Sequence, residues 1–216
     1  MNKEKLEDMH RLLNSGELYD GIDEELMAEI GRRVEYLNAY NRTPESEEGL
    51  AERERILREC TGTYGEGMLI IPPVYANHGL RNVHFGKNVI LNFNVNFVDD
   101  ADIFIGDDTL IGPGAQLITA MHPVSPRLRK HNLQYNKPIH IGKNVWIGGG
   151  AIIMPGVSIG DNSIVGAGSV VTHDVEQDTI VVGSPARVLR KITADDDLFY
   201  DRNKPVPKEF ASKYLK

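Results

Sequence analysis

A branched aliphatic residue recurs every six positions through the second half of this chain: Ile141, Ile147, Ile153, Ile159, Val165 and Val171. The residues that follow are Gly142, Gly148, Met154, Gly160, Gly166 and Thr172. Four places after each aliphatic stand Val145, Ala151, Val157, Ser163, Ser169 and Val175, all small or β-branched. A sustained hexad of this kind specifies a parallel β-helix, in which each hexad supplies one short strand and a turn, and three hexads close one coil. The aliphatics point inward to stack on the same position one coil away, and the glycines are expected to supply turn conformations that a Cβ hinders.

The period extends upstream. Ile105-Gly106, Ile111-Gly112 and Leu117 keep it, and Phe85-Gly86, Leu91 and Phe97 keep it again after a phase shift of two residues. Between Leu117 and Ile141 it stops, for a segment rich in histidine, proline and basic residues. An insertion of that length leaves the coil as a loop, and solenoids carry such loops on one face, often the face that binds something.

The remaining organisation follows from helical periodicity. Residues 1–60 read as a helical cap: Leu26, Ile30, Val34, Leu37 and Tyr40 share one stripe of a helix that Asp23 is placed to cap. Thr43-Pro44 followed by glutamates reads as the start of another helix, with proline at its first position. The segment from Ser15 to Gly21 reads as a loop between the first two helices. Residues 61–192 form the β-helix with its insertion at 118–140, and 193–216 is a polar, then aromatic tail that fits either a short helix or a strap across a neighbour.

The net charge of −7 argues against nucleic acid or an anionic membrane as partner of the chain as a whole. A single cysteine, Cys60, excludes an internal disulfide and fits a reducing cytosol; its charged helical setting favours a structural or incidental thiol over a nucleophile. The first residues, MNKEKLEDMHR, lack the apolar core of a signal peptide, and the expectation is a cytoplasmic protein.

Two clusters offer chemistry. His122 stands where the repeat ends and the insertion begins, with Pro123 fixing the backbone beside it. An imidazole can take a proton from a hydroxyl and return it, as general-base catalysis requires; the bland alternative is a loop histidine bonded to backbone. Near the end of the solenoid, Arg187, Arg190 and Lys191 gather three cations suited to phosphate groups, or simply to solvent. The seven histidines show neither a His-x4-His pair nor an HExxH helix, so no metal is expected.

Several motifs together carry a family resemblance: Gly16-Glu17-Leu18-Tyr19-Asp20, Pro72-Pro73-Val74-Tyr75, Asn92-Phe93-Asn94, Val98-Asp99-Asp100, Ile111-Gly112-Pro113, His122-Pro123, Asn144-Val145-Trp146-Ile147-Gly148 and Gly183-Ser184-Pro185-Ala186-Arg187. With them the chain resembles the maltose and galactoside O-acetyltransferases, the sugar-acetylating branch of the hexapeptide-repeat acyltransferases. The resemblance implies a mainly β fold, a left-handed parallel β-helix with a small N-terminal helical cap, assembled as a homotrimer with active sites between subunits. The hand of the coil comes from the family, since parallel crossovers are ordinarily right-handed.

Carried over position by position, the resemblance makes His122 the base that deprotonates an acceptor hydroxyl for direct attack on acetyl-CoA, a co-substrate, without a covalent acyl-enzyme. It places Asp20, Asn77, Asn92 and Asp100 in the acceptor pocket, with Asn92 also near the acetyl group. It lines the CoA groove with Trp146, Gly149, Ala167, Thr172 and His173, and sets Arg187 and Arg190 at the phosphates. Asn77, Ile90, Leu133-Gln134-Tyr135 and His173 depart from the family pattern. They leave open acetylation of a different acceptor (a xenobiotic, an amino sugar or a nodulation-type oligosaccharide); a scaffold without catalysis is the alternative of another class, against which the presence of both His122 and the arginine cluster argues.

Overall fold

The structure, a computed structural model, describes residues 3–22 and 24–215. Its body is a stack of parallel coils with three flat faces. The first face holds Val83–Phe85, Ile103–Ile105, Ile139–Ile141 and Ser158–Ile159. The second holds Leu69–Ile70, Ile90–Leu91, Leu110–Ile111, Trp146–Ile147, Ile164–Val165 and Thr179–Val182, with Arg187–Lys191 added antiparallel at its end. The third holds Val74–Ala76, Val95–Val98, Gln116–Ile118, Ile152–Ile153 and Val170–Val171.

The hexad aliphatics form the core as the period requires. Ile105, Ile141 and Ile159 stack in register on the first face, Ile111, Ile147 and Val165 on the second, and Leu117, Ile153 and Val171 on the third. All nine are buried. Each such side chain contributes about 1.5–3 kcal/mol of burial.

The glycines act differently from the sequence expectation. Gly148, which follows Ile147, has an ordinary φ; a Cβ there would stand 2.5 Å from the backbone nitrogen of Ala167 in the next coil. These glycines therefore permit close approach between coils. The positive φ falls two residues later, on Gly150 (67°) at one corner and on Asn88, Asp108, Asn144, Asn162 and Asp178 (52–61°) at another. Asn and Asp tolerate that conformation better than other side chains. They also ladder along the stack, Asn144 Nδ2 donating to Asn162 Oδ1 at 3.0 Å and Asn162 Nδ2 to Asp178 Oδ1 at 2.9 Å. At the corner between third and first faces, Met154 and Thr172 stand where the other two corners have glycine.

Three helices, α1 (Lys3–Ser15), α2 (Glu24–Asn41) and α3 (Glu47–Cys60), cover one end of the stack. The α2 stripe buries Leu26, Leu37 and Tyr40, and Asn41 clamps the helix to the coil through both Nδ2 to the Val74 carbonyl (2.8 Å) and Oδ1 from the Val74 amide (2.9 Å). The expected cap Asp23 lies outside the described residues. The start of α3 is later than expected: Ser46, not Thr43, caps it, accepting from the Gly49 amide at 3.2 Å. Thr43 is diverted, its hydroxyl donating to the Tyr40 carbonyl while Arg53 Nε donates to it at 2.7 Å.

The segment between α1 and α2 is more than a loop. Tyr19–Asp20 is a strand paired antiparallel with Leu133–Asn136 of the insertion, Tyr19 opposite Gln134 and Asp20 opposite Leu133. Buried Asn136 fastens the junction, donating to the Leu13 carbonyl at 3.0 Å and bonding the Tyr19 hydroxyl. The tail forms a short 3-10 turn at Ala194–Asp197, a hairpin of Phe199–Asp201 with Lys204–Pro205, and a short helix at Lys208–Tyr214. Among its described residues none is buried.

Candidate active site

The coil period breaks repeatedly at one corner, between the third and first faces. Phe97 to Ile105 spans eight positions where Ile153 to Ile159 spans six, and Leu117 to Ile141 spans the whole insertion. The extra residues collect side chains that no coil needs. Asp99 and Asp100 sit in the lengthened turn, Asn77 and His78 in the turn of the preceding coil, and the insertion rises beside them.

Within the insertion, Ala120–Met121 pairs with Leu133–Asn136, and Pro126–Arg129 forms one helical turn at the tip. Arg129 Nη1 donates to the Pro123 and Val124 carbonyls at 3.1 and 2.9 Å, tying the turn to the segment after His122. His122 is exposed, and its Nδ1 lies 3.0 Å from the Leu133 carbonyl oxygen. A carbonyl only accepts, so Nδ1 donates this bond, and in the neutral ring the lone pair belongs to Nε2. Asp20, the strand partner of Leu133, lies on the other side of the same residue, its Oδ1 accepting from the Ile22 amide at 3.0 Å.

Asp100 is buried, with both oxygens engaged. Asn77 Nδ2 donates to Oδ2 at 3.1 Å, Gln134 Nε2 donates to Oδ1 at 2.6 Å, and His78 Nε2 faces Oδ1 at 3.8 Å. Burial works against its ionisation, but the His78 imidazole and the two amides outweigh that and hold the carboxyl below its ordinary range. Asp99 behaves oppositely. It is fully buried, among the described residues only its Oδ1 accepts a bond, from the His78 amide at 2.7 Å, and burial pushes it up to about 6. The resemblance points to Asp100 and Asn77, carries Asp99 within its motif and marks Gln134 as a departure; the packing adds His78 and joins Gln134 and Asp99 to the cluster. The two-residue phase shift is the available signal for the lengthened Asp99-Asp100 turn.

The other expected residues lie elsewhere. Asn92, Gly149 and Ala167 fall at the corner between second and third faces, across the third face from His122. Asn92 Oδ1 accepts from the Phe93 amide at 2.9 Å. Trp146 points outward from the second face, 53% exposed, in register between Leu110 and Ile164. Thr172 and His173 return to the His122 corner two coils further along, bonded to each other at 2.9 Å.

The cation cluster is largely committed. Arg190 grips Asp196 with both Nη atoms, at 2.8 and 2.7 Å, and that pairing holds Asp196 at about 2. Lys191 Nζ reaches Glu176 at 2.7 Å and Thr179 at 2.8 Å. Among the described residues the Arg187 side chain bonds only the carbonyl of its neighbour Ala186, through Nη1, which leaves Nε and Nη2 for a ligand. Cys60 is buried and burial pushes its thiol up to about 12, so it supplies no nucleophile.

Residues 138–173 match the bacterial transferase hexapeptide family (six repeats), and residues 13–65 the maltose acetyltransferase hexapeptide capping motif. The galactoside O-acetyltransferase of Lactococcus lactis is 42% identical over 202 residues, covering 94% of this chain and 96% of that protein. A galactoside acetyltransferase solved in complex with coenzyme A superposes with a TM-score of 0.87 at 39% identity, covering 93% of this chain and 98% of the other. A hexapeptide-repeat acetyltransferase from Vibrio cholerae O1 biovar eltor, complexed with acetyl coenzyme A, gives 0.79 at 37% identity, covering 89% and 100%. The identities and coverage leave one conclusion: this chain belongs to the maltose and galactoside acetyltransferase family of hexapeptide-repeat proteins, and it is an acetyltransferase.

Proposed function

We propose that the protein transfers the acetyl group of acetyl-CoA to a hydroxyl of a sugar, with His122 as general base. The observation that carries this is the bond from His122 Nδ1 to the Leu133 carbonyl, which leaves Nε2 as the free base. Nε2 takes the hydroxyl proton as the oxygen attacks the thioester carbonyl, backbone N–H groups around Gly149 stabilise the oxyanion, and the imidazolium returns the proton to the departing thiolate. Asp20, Asn77 and Asp100 hold the sugar, Asn92 lies against the acetyl group, and Trp146, Gly149, Ala167, Thr172 and His173 line the CoA groove. Arg187 binds phosphate; Arg190 does so only on leaving Asp196.

The site is shared between copies. His122 and Asp100 occupy one corner of the coil, Asn92 and Gly149 another, so a second copy must bring its corner to the first. Association is supported by the outward column of Leu69, Ile90, Leu110 and Trp146 along the second face, all exposed. A head-to-tail contact of this kind closes as a ring, and three copies give a homotrimer with three sites. A buried reduced cysteine and the use of acetyl-CoA both suit the cytoplasm.

The test is product analysis after incubation with acetyl-CoA and a panel of maltose, glucose, thiogalactosides, amino sugars and a non-sugar alcohol. An O-acetyl ester on a neutral sugar is expected. Transfer confined to an amino group or to the non-sugar alcohol contradicts the reading.

A further inference from the structure

Gln134 occupies a position that no assigned role covers. It lies on Leu133–Asn136, the strand that also carries the carbonyl holding His122. Its Nε2 donates to Asp100 Oδ1 at 2.6 Å and lies 3.3 Å from Asn136 Oδ1. Its Oε1 lies over Gly21, where a Cβ would stand 3.1 Å away, so the glycine leaves the space that the amide fills. One step of one strand therefore ties the base, through a backbone carbonyl, to the carboxylate, through a side chain.

A carboxylate offers about four lone-pair positions to donors. Asn77 and Gln134 take one on each oxygen of Asp100, and His78 faces Oδ1. Both amides are neutral, so Asp100 keeps its negative charge and remains purely an acceptor. The hydrogen bonds fix its plane and leave the remaining lone pairs in a set direction. We propose that Gln134 is a positioning residue that holds Asp100 as a fixed, ionised acceptor for a donor hydroxyl of the sugar, in register with His122. This rests on the acceptor-pocket reading above.

Two variants of the full-length protein test it, with kinetics in both substrates. Gln134→Met keeps the length and removes the donor; the KM for the sugar is expected to rise about tenfold, and the KM for acetyl-CoA to stay unchanged. Gln134→Glu places a second carboxyl against Asp100, and two carboxyls in contact share a proton. While the proton is kept, the shared bond replaces the amide and the sugar KM stays near that of the unaltered protein. As pH rises and the proton leaves, the sugar KM climbs to the level of Gln134→Met. The other titratable groups facing this pair are His78 and Asp99 from the adjacent turns and Tyr19 from the paired strand; these are common to every form.

A pH-dependent rise peculiar to Gln134→Glu supports a positioning role, because simple loss of packing does not reverse with pH. Should Gln134→Met fail to fold, the Gln134→Glu profile decides alone. Sugar KM values that match the unaltered protein at all pH values, or an equal rise in the KM for acetyl-CoA, overturn the inference while leaving the enzymatic reading in place. Absence of acetyl transfer by the unaltered protein overturns both.

Discussion

The imidazole of His122 and the main-chain carbonyl of Leu133 lie 3.0 Å apart, across the base of a loop that has left the coil. Because the partner is a carbonyl, the contact selects a tautomer as well as an orientation. Nitrogen-15 NMR of the neutral ring is expected to show a protonated Nδ1 and a bare Nε2 for His122. The opposite tautomer removes the base from the position where the acceptor hydroxyl is proposed to bind.

Asp99 predicts a pH dependence of stability. Burial raises its carboxyl from 3.8 to about 6, so between those values the folded chain keeps a proton that the unfolded chain has released. Stability from this residue is fully present below about pH 4 and falls as pH rises through about 6, by about 3 kcal/mol at most. Asp99→Asn removes the titration, and the difference in unfolding free energy between variant and unaltered protein is expected to shift in the variant's favour from pH 4 to pH 7. A difference that is flat across that range contradicts the assignment.

The two kinds of glycine separate under substitution. Gly148→Ala forces a Cβ to within 2.5 Å of the Ala167 backbone, which cannot yield without parting two coils. A loss of about 1–3 kcal/mol or more is expected in denaturant unfolding. Gly150 has φ 67°, and a Cβ added there would meet nothing within 4 Å. Gly150→Asn, a residue that tolerates this region, is therefore expected to cost under about 1 kcal/mol. Equal losses in the two variants refute the distinction.

Arg187 and Arg190 are expected to differ in the same way. Arg187 has outer donors to spare, whereas Arg190 is held by Asp196. Arg187→Ala is expected to weaken CoA binding about tenfold, the size of one charge-assisted contact, with little change in kcat at saturating cofactor. Arg190→Ala is expected to weaken it less. Calorimetric titration with CoA decides, and the reverse order contradicts the reading.

The coil itself is legible in the sequence because its physics is periodic: a buried aliphatic every sixth residue has one compact way to stack. The site is legible where that period fails, at the His122 insertion and, less plainly, at the phase shift after Phe97. Its finer content is not, because it depends on segments distant in sequence. Gln134 meets Asp100, and Arg190 meets Asp196, only once strand pairing and the tail's first turn bring them together. The burial that raises Asp99 likewise arises from coils and helices packed around it. The first turn of α3 starts later than the sequence suggests because Thr43-Pro44-Glu45 and Ser46-Glu47-Glu48 carry nearly the same start signal, and Arg53 claims the first of them.

The most direct measurement is the initial rate of CoA thiol release from acetyl-CoA with a sugar acceptor, for the unaltered protein and for His122→Ala, with CoA binding measured on both. The account predicts acceptor-dependent release that falls by about 10²–10⁴ in the variant, the usual worth of a general base, with CoA affinity unchanged. Release that persists in His122→Ala at a comparable rate, or a variant that loses CoA binding along with activity, contradicts it.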